Sequence, residues 1–483
     1  MTHTLSIGWA ETDTTPDGPV DLSGQYYHRI TDRIHSRLTA TALALESGHA
    51  QAVMVSVELA CFQTGFQTDL RDRLGASVAG LDPRSVFINA THTHNAPGVD
   101  PICGIAWLAE LPGALPVATY REFMLAKLVA LVAVAWNVRR PGGVAHGLGF
   151  TRVGHCRRAI YTDGTAEMYG RTDRPDFAGM EGGEDSGVDL LYTFDEAHRP
   201  TGLILNLACP SQIMEATYEV SSDFVGETRG RLKQRFGADF KVLGQISAAG
   251  CQSPRDLTRN YKGEPDFWHA DGVTEAGRRL ALAAEDAFAA ASARIQYAPV
   301  LRHEVRALTL PHRRASYHDY VEAKIRLAQL ESIRDEAGAY RDFCAEVVRN
   351  EKLPGRPGPY DSKLHHFVLI QNNRAVVARY ESQNATPSFE FEMHAVRLGD
   401  AAFVTNPFEL YLDFGHQIKA RSTAARTFIV QLCGGTGGYL PSARAEQLGG
   451  YGGLIINGNV GSDGGKQLVD ATVETIAELW GHP

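Results

Sequence analysis

Short β-rich runs alternate with helix-like segments from the first residue to about residue 310, and this alternation is the feature that most constrains the fold. It is the pattern of layered α/β architecture. The predicted strands are Gln51 to Leu59, Ser85 to Ala90, Gly202 to Ala208 and Lys241 to Ile246. The predicted helices are Thr64 to Val78, Tyr120 to Trp136, Phe224 to Phe236 and Gly272 to Ala290. The sequence therefore predicts layered β-sheets flanked by helices.

The region from 315 to 352 is charged and has apolar residues at helical spacing, which predicts a helical insert that the Pro-Gly cluster at 354 to 359 ends. Beyond it we expect strands at Phe367 to Gln371, Ala375 to Tyr380 and His394 to Val404, and a helix from Phe408 to Ala420. No repeat or low-complexity linker divides the 483 residues. We therefore expect one large α/β domain over residues 1 to 483, with a possible sub-boundary near 310.

Charge and hydropathy exclude several classes of partner. Lysine and arginine total 47 against 56 acidic residues, so no basic face for nucleic acid or anionic lipid is expected. The apolar run Leu128 to Trp136 is about half the length that crosses a bilayer and predicts a core helix. No secretory signal is evident, which favours a cytoplasmic location. The seven cysteines are scattered without a C-x-x-C pair, so we expect reduced thiols.

Two histidines stand one residue apart where a predicted buried strand ends. In an extended chain residues i and i+2 project to the same face, so His92 and His94 can converge on one ion, or on an ion and its substrate. Neutral imidazole is the commonest nitrogen ligand of zinc. The alternative is that both are polar residues at a strand terminus, bonded to backbone or solvent.

Further residues carry chemistry that suits a metal pocket. Glu409 stands at the start of a predicted helix, where the macrodipole favours a carboxylate that could complement imidazole on zinc or simply cap the helix. Ser253 precedes a proline and follows Gly250, in a loop that could present a hydroxyl to an oxyanion or form an ordinary Ser-Pro turn. Tyr439 and Tyr451 lie in a glycine-dense segment that allows close backbone approach, as in loops that line a site. The alternative is that both rings are aromatic plugs over a hydrophobic core. A phenol becomes a ligand only when a cation draws off its proton.

The order of these segments resembles the neutral/alkaline non-lysosomal ceramidase family. The run from Ala90 to Gly98 is similar to the family's A-T-H-T-H-S-G-P-G signature. The resemblance implies that His92 binds zinc and that His94 lies beside the substrate. The segment Cys156-Arg157-Arg158 looks like the family's N-R-R segment, which implies that Arg157 or Arg158 enters the pocket, although a surface charge pair is the alternative.

Three later segments extend the resemblance. Gly250 to Arg255 looks like the G-D-x-S-P loop, with Cys251 in place of the aspartate, and implies that Ser253 is the active-site serine. Asn406 to Glu409 resembles the P-G-E-F segment, whose glutamate is a zinc ligand. Gly438 to Pro441 and Gly450 to Gly452 look like the two tyrosine segments, which implies that Tyr439 is a metal ligand and Tyr451 a pocket donor.

The chain departs from the family at the second nitrogen ligand. Where the family has a histidine, this sequence reads Ala208-Cys209-Pro210. A thiolate is a good zinc ligand, so Cys209 could replace the imidazole, whereas a free cysteine is more often a small buried apolar residue. His94, His269 or the pair His365-His366 could complete the shell instead, or the site could hold no zinc. An immunoglobulin-like domain that the family carries after the catalytic one is also not expected here.

These resemblances imply a zinc-dependent hydrolase of the neutral ceramidase superfamily that cleaves an amide or related bond of a soluble polar substrate by metal-activated water. The expected ligands are His92, Cys209, Glu409 and Tyr439. The expected catalytic residues are His94, Ser253, Tyr451, Arg157 and Arg158. A metal-dependent glycoside hydrolase or lyase acting on a soluble carbohydrate is one alternative, and a metal-free binding protein is the other. The expected partner is a small molecule or an oligosaccharide, and a homo-oligomer is an open alternative, with no nucleic acid and no transmembrane segment.

Overall fold

The computed structural model describes residues 4–75, 77–101, 113–262, 264–353 and 360–481. Its strands are β1 (Ser6–Asp13), β2 (Val20–Asp21), β3 (Ile30–Thr31), β4 (Thr39–Ser47), β5 (Ala50–Val57), β6 (Val86–Ala90), β7 (Arg140–Phe150), β8 (His155–Cys156), β9 (Arg158–Tyr161), β10 (Ala166–Met168), β11 (Phe177–Met180), β12 (Gly187–Asp195), β13 (Pro200–Leu207), β14 (Lys241–Ile246), β15 (Gln252–Ser253), β16 (Leu301–Pro311), β17 (Ser388–Leu398), β18 (Ala401–Thr405), β19 (Phe408–Leu410), β20 (Arg426–Val430) and β21 (Gly438–Leu440). Its helices are α1 (Thr64–Gly75), α2 (Val117–Asn137), α3 (Asp223–Phe236), α4 (Ala270–Ser292), α5 (Tyr317–Ile333), α6 (Glu336–Glu351), α7 (His366–Ser382), α8 (Leu412–Arg421), α9 (Ala443–Leu448) and α10 (Ser462–Leu479).

Two sheets lie face to face in the centre of the molecule. The larger has eight strands in the order β14-β13-β12-β7-β1-β4-β5-β6, and the smaller has four in the order β16-β17-β18-β20. Alternation along the strands assigns the faces: Ala44 and Val55 of the larger sheet pack with α1 and α2, whereas Leu43 and Met54 pack against Phe403 of the smaller sheet. The helices α3 and α4 cover β12 to β14 on the same outer side.

The helices α8 and α10 cover the outer face of the smaller sheet, where Leu468 and Ile476 pack with Ala395 and Val404. The order of layers is therefore helix, sheet, sheet, helix. The predicted fold class, layered sheets flanked by helices, is confirmed, and the eight elements predicted before residue 310 are observed with ends shifted by a few residues. No helix of the described residues is long and apolar enough to span a membrane.

The helical insert between β16 and β17 comprises α5, α6 and α7, so it extends beyond the end predicted at residue 352. Ser316 and Asp319 form a reciprocal capping box at the start of α5. The predicted strands at Phe367 to Gln371 and Ala375 to Tyr380 are wrong, because both lie in α7. A short apolar run has the same pattern in a strand and in a buried helix, and here packing of Phe367 and Ile370 against Phe343 of α6 decides for the helix. The Pro-Gly cluster at 354 to 359 lies outside the described residues.

Two further predictions need correction. His394 to Val404 is not one strand but the hairpin of β17 and β18, which turns at Gly399 with a φ of 60°. The helix predicted from Phe408 begins only at Leu412, because Phe408–Leu410 pairs as the short strand β19. Glu409 therefore lies on a strand, and its expected interaction with a helix macrodipole does not occur.

Candidate active site

His92 and His94 follow the last residue of β6, at the edge of the larger sheet. His92 has a φ of 62°, a conformation that a non-glycine residue adopts only where its surroundings hold it. Its Nδ1 lies 2.6 Å from the carbonyl oxygen of Ala60, which can only accept, so Nδ1 carries the proton and Nε2 presents a lone pair. Nε2 of His94 lies 3.4 Å from that atom. Both rings are buried.

Glu409 and Tyr439 are brought together by the parallel pairing of β19 with β21, in which their Cα atoms are directly opposite. The Tyr439 hydroxyl lies beside the Glu409 carboxylate and helps to lower its pKa. Oε2 of Glu409 lies 3.4 Å from Nε2 of His92. Gly250 passes close behind this pair, since a Cβ there would lie 2.3 Å from the carbonyl oxygen of Glu409. The structure thus brings together three of the four residues predicted as metal ligands.

Arg157 follows β8 and places its buried guanidinium beside Glu409 and Tyr439. It donates to the hydroxyl of Tyr439 at 3.2 Å and to the carbonyl oxygen of Gly250 at 3.1 Å. Its nearest approach to Glu409 Oε2 is 3.9 Å. Because Arg157 donates to the phenol oxygen, the hydroxyl proton of Tyr439 is free to point toward the carboxylate.

Three residues that sequence analysis missed complete the site. Glu215 lies 3.3 Å from Nδ1 of His94 and accepts a hydrogen bond from the hydroxyl of Tyr169 at 3.0 Å. Arg157 donates to that hydroxyl and to Gln212, each at 3.2 Å. A closed circuit of polar side chains results, formed in order by His92, His94, Glu215, Tyr169, Arg157, Tyr439 and Glu409. No spacing or motif identified Gln212 or Glu215, and their only signal is that they follow Cys209 and Pro210 closely.

Arg158 has a different place from Arg157. It is fully buried, with Nε 2.8 Å from Glu181, and it donates to the carbonyl oxygens of Tyr451 and Gly449 at 2.5 and 2.6 Å. It therefore holds the glycine-rich loop that carries Tyr451. The Tyr451 ring makes an edge contact with Tyr439, with ring centroids 5.6 Å apart.

Cys209 and Ser253 are buried, and their described hydrogen bonds are all to backbone groups. The thiol of Cys209 donates to the carbonyl oxygens of Val153 and Pro210 at 3.5 and 3.6 Å, within an apolar cluster. Burial raises the pKa of this thiol well above its ordinary value. The Ser253 hydroxyl bonds the backbone N–H and carbonyl of Arg255, each at 3.2 Å. The ligand role of Cys209 and the catalytic role of Ser253 stay predictions.

The site combines a neutral imidazole with ionised carboxylates. Burial lowers the pKa of His94 to about 4, against the opposing effect of Glu215. Burial alone would raise the pKa of Glu409, but His92 and Arg157 outweigh it and the pKa is lowered. For Glu215, burial is likewise outweighed by His94 and Arg157, and its pKa is also lowered. Burial raises the pKa of Tyr439 well above 10, so its phenol keeps its proton unless a cation displaces it.

Within the described ranges, no three side chains of His, Cys, Asp or Glu are arranged so that they could hold a metal ion. A metal here would take only His92 and Glu409 from those types and would need the phenol of Tyr439 as its third protein ligand. The donor chemistry fits, since imidazole nitrogen and carboxylate oxygen suit zinc. The facing atoms support the fit, because the lone pair of His92 Nε2 points at a carboxylate oxygen 3.4 Å away and requires a proton or a cation between them.

No family model and no curated protein matches the chain. Among solved structures it is similar to the neutral ceramidase from Pseudomonas aeruginosa, with a TM-score of 0.72 and 18% identity over 100% of this chain and 75% of that one. It is also similar to a ceramidase complexed with C2, with a TM-score of 0.71 and 16% identity over 100% of this chain and 76% of that one. The chain thus has the fold of neutral ceramidases.

Proposed function

We propose that the protein is a metal-dependent hydrolase of the neutral ceramidase superfamily that cleaves an amide or related bond in a small polar substrate. One observation carries the proposal: two acceptor atoms, Nε2 of His92 and Oε2 of Glu409, face each other at 3.4 Å beside the phenol of Tyr439. His92, Glu409 and Tyr439 would hold the ion. Nitrogen and oxygen donors suit zinc, and without a thiolate they also suit manganese or iron.

A bound divalent cation would lower the pKa of a water molecule from about 15.7 toward about 7 and polarise the scissile carbonyl. The protein's side chains supply the remaining functions. The guanidinium of Arg157 stabilises negative charge on the Tyr439 oxygen, to which it already donates. Neutral His94 accepts a proton from water and returns it to the leaving amine, as a general base and then a general acid. Tyr451 and Ser253 position the substrate, and Arg158 holds the Tyr451 loop.

The polar substrate is inferred from the walls of the site. The side chains of the circuit carry charged or hydrogen-bonding groups, and Arg157, Glu215 and Glu409 are ionised, so a substrate with several hydrogen-bonding groups is complementary to it. The similar solved structures are ceramidases, which makes ceramide the reference substrate. We expect faster release of amine from short N-acyl amides of polar amines than from ceramide in detergent, and the opposite order would contradict the polar assignment.

Metal content of purified protein tests the proposal most directly. The matched variants are His92→Ala and His318→Ala, since the side chain of His318 is 79% exposed and pairs with Glu322 one turn along α5. After zinc supplementation and removal of loose metal, we expect about one zinc per chain in the wild type and in His318→Ala, and a large loss in His92→Ala. Unchanged zinc in His92→Ala would refute the assignment of His92. Absence of metal from the wild type would favour the metal-free binding protein.

Product analysis separates the two enzymatic hypotheses. An amide hydrolase releases a free amine, whereas a glycoside hydrolase creates a new reducing end and a lyase an unsaturated sugar. We expect amine release that His92→Ala abolishes and His318→Ala retains. A new reducing end without amine would replace the proposal by the carbohydrate alternative.

A further inference from the structure

Glu215 is a buried carboxylate surrounded by donors. Its Oε2 accepts hydrogen bonds from the amides of Gln25 and Gln212, each at 3.0 Å, and its Oε1 accepts from the Tyr169 hydroxyl at 3.0 Å. The residue is 3% exposed. Buried carboxylates are retained where such donors compensate the lost hydration, so Glu215 is held as an ionised acceptor of fixed orientation.

The backbones of Glu215 and His94 are tied to one another. The fully buried guanidinium of Arg29 donates to the carbonyl oxygen of Glu215 at 2.6 Å and to that of His94 at 2.5 Å. Gly24 closes the other side of the imidazole, where a Cβ would lie 2.5 Å from Cγ of His94. The ring of His94 is therefore confined between Gly24 and the carboxylate of Glu215.

The atom of His94 that faces Glu215 is left without a hydrogen bond. Nδ1 is buried and, within the part of the chain that the structure describes, has no hydrogen-bond partner, although Oε2 of Glu215 is only 3.3 Å away. A lone pair on Nδ1 would face a negative oxygen, whereas a proton there would satisfy both atoms after a small rotation of the ring. Nε2 of His92 also presents a lone pair, 3.4 Å from Nε2 of His94, and competes for the same proton. Because an ionised carboxylate is a stronger acceptor than a neutral imidazole nitrogen, the arrangement favours the tautomer with the proton on Nδ1.

We propose that Glu215 is a positioning residue that holds His94 in the Nδ1-protonated tautomer, so that the lone pair of Nε2 points to Nε2 of His92, 3.4 Å away. A carboxylate that orients a histidine in this way selects which nitrogen can act as a base. The role of Nε2 as proton acceptor rests on the function proposed above. The tautomer itself does not, and it can be measured without metal or substrate.

The tautomer is read from the side-chain nitrogen resonances of metal-free protein labelled with ¹⁵N-histidine. Loss of one signal pair in His94→Gln assigns His94 among the 18 histidines. We expect a protonated Nδ1 and an unprotonated Nε2 in the wild type at neutral pH. A wild-type spectrum with the proton on Nε2 would overturn the proposal before any change is made at Glu215.

Two substitutions separate the acceptor oxygen from the rest of the side chain. In Glu215→Gln the donors Gln25 and Gln212 hold the amide oxygen at the Oε2 position, so the Nδ1-protonated tautomer is retained. In Glu215→Leu the acceptor is lost and the proton moves to Nε2 in a substantial fraction of molecules. Asp189→Asn is the control, because Asp189 of β12 is 3% exposed but pairs with Lys419 of α8. A wild-type tautomer in Glu215→Leu, or its loss in Glu215→Gln, would contradict the proposal.

Kinetics test the functional half separately. Once a substrate is in hand, we expect Glu215→Leu to lower kcat by about 10- to 100-fold, the usual cost of removing a residue that orients a reacting group, with KM changed less than about twofold. Glu215→Gln should recover most of this loss, and Asp189→Asn should match the wild type. An altered tautomer with unchanged kcat would refute Nε2 of His94 as the proton acceptor. A protein that binds no metal yet shows the expected tautomer would refute the proposed function and leave the role of Glu215 standing.

Discussion

Replacement of Gly24 by alanine is the smallest change that should displace the second histidine of the site. Gly24 has a φ of 102°, and an added Cβ would lie 2.5 Å from Cγ, 2.7 Å from Nδ1 and 2.9 Å from Cβ of His94. Carbon atoms in contact prefer separations of about 3.5–4.0 Å, so the ring must move by about 1 Å. Overpacking of this kind costs about 1–3 kcal/mol.

Gly18 provides a matched control. Its φ of 119° carries a similar backbone penalty, but no atom lies within 4 Å of its added Cβ. We expect Gly18→Ala to lower the free energy of unfolding by about 1–2 kcal/mol from the left-handed backbone alone. Gly24→Ala should lower it by a further amount of about 1–3 kcal/mol, the cost of the collision with His94.

Urea unfolding measures both free energies, and the ¹⁵N signals of His94 report its displacement. A shift of about 1 Å in a reacting group can cost about 100-fold in rate, so amine release should fall far more in Gly24→Ala than in Gly18→Ala. Equal stabilities in the two variants, together with unmoved His94 signals in Gly24→Ala, would show that Gly24 does not confine the ring and would refute the reasoning.

Three other substitutions test separate parts of the structure. The Cys209→Ser variant should keep its metal. Its free energy of unfolding should fall by about 1–3 kcal/mol, because the Cys209 thiol lies in an apolar cluster. Loss of metal, measured by elemental analysis, would instead make Cys209 a ligand. Arg158→Met should lower the free energy of unfolding in urea by about 3–5 kcal/mol, since it leaves the buried Glu181 carboxylate without its ion-pair partner. A loss of activity at unchanged stability would instead support a role of Arg158 in the pocket. Burial alone would raise the pKa of Glu392, but His394 and Arg71 lower it from 4.5 to about 2. Glu392 therefore contributes stability that is present above about pH 4.5 and is lost as the pH falls toward 2. The stability difference between wild type and Glu392→Gln should shrink across that window, and a difference independent of pH would argue against the interaction.

Local pattern located four strands of the larger sheet, β5, β6, β13 and β14, but not the order of the strands, which depends on pairing between separate segments. Because β4 and β5 are buried on both faces, only the packed structure assigns Leu43 and Met54 to one face and Ala44 and Val55 to the other. The paired histidines after β6 were visible as a motif, but the extended-chain argument does not explain their contact, because His92 has a φ of 62°. Where a short apolar run could form either element, as in Phe367 to Ile370, local pattern failed because packing against α6 decides the outcome.

By itself, the sequence determined which side chains could take part in metal chemistry, since residue type fixes whether an atom donates or accepts. Tertiary structure decided which of them meet. The pairing of β19 with β21 sets Glu409 opposite Tyr439 across about thirty residues of chain, and the segment after Cys209 turns its thiol into the core while bringing Glu215 to His94. These encounters depend on strand pairing and burial between segments far apart in the chain, whose free energy no local pattern encodes.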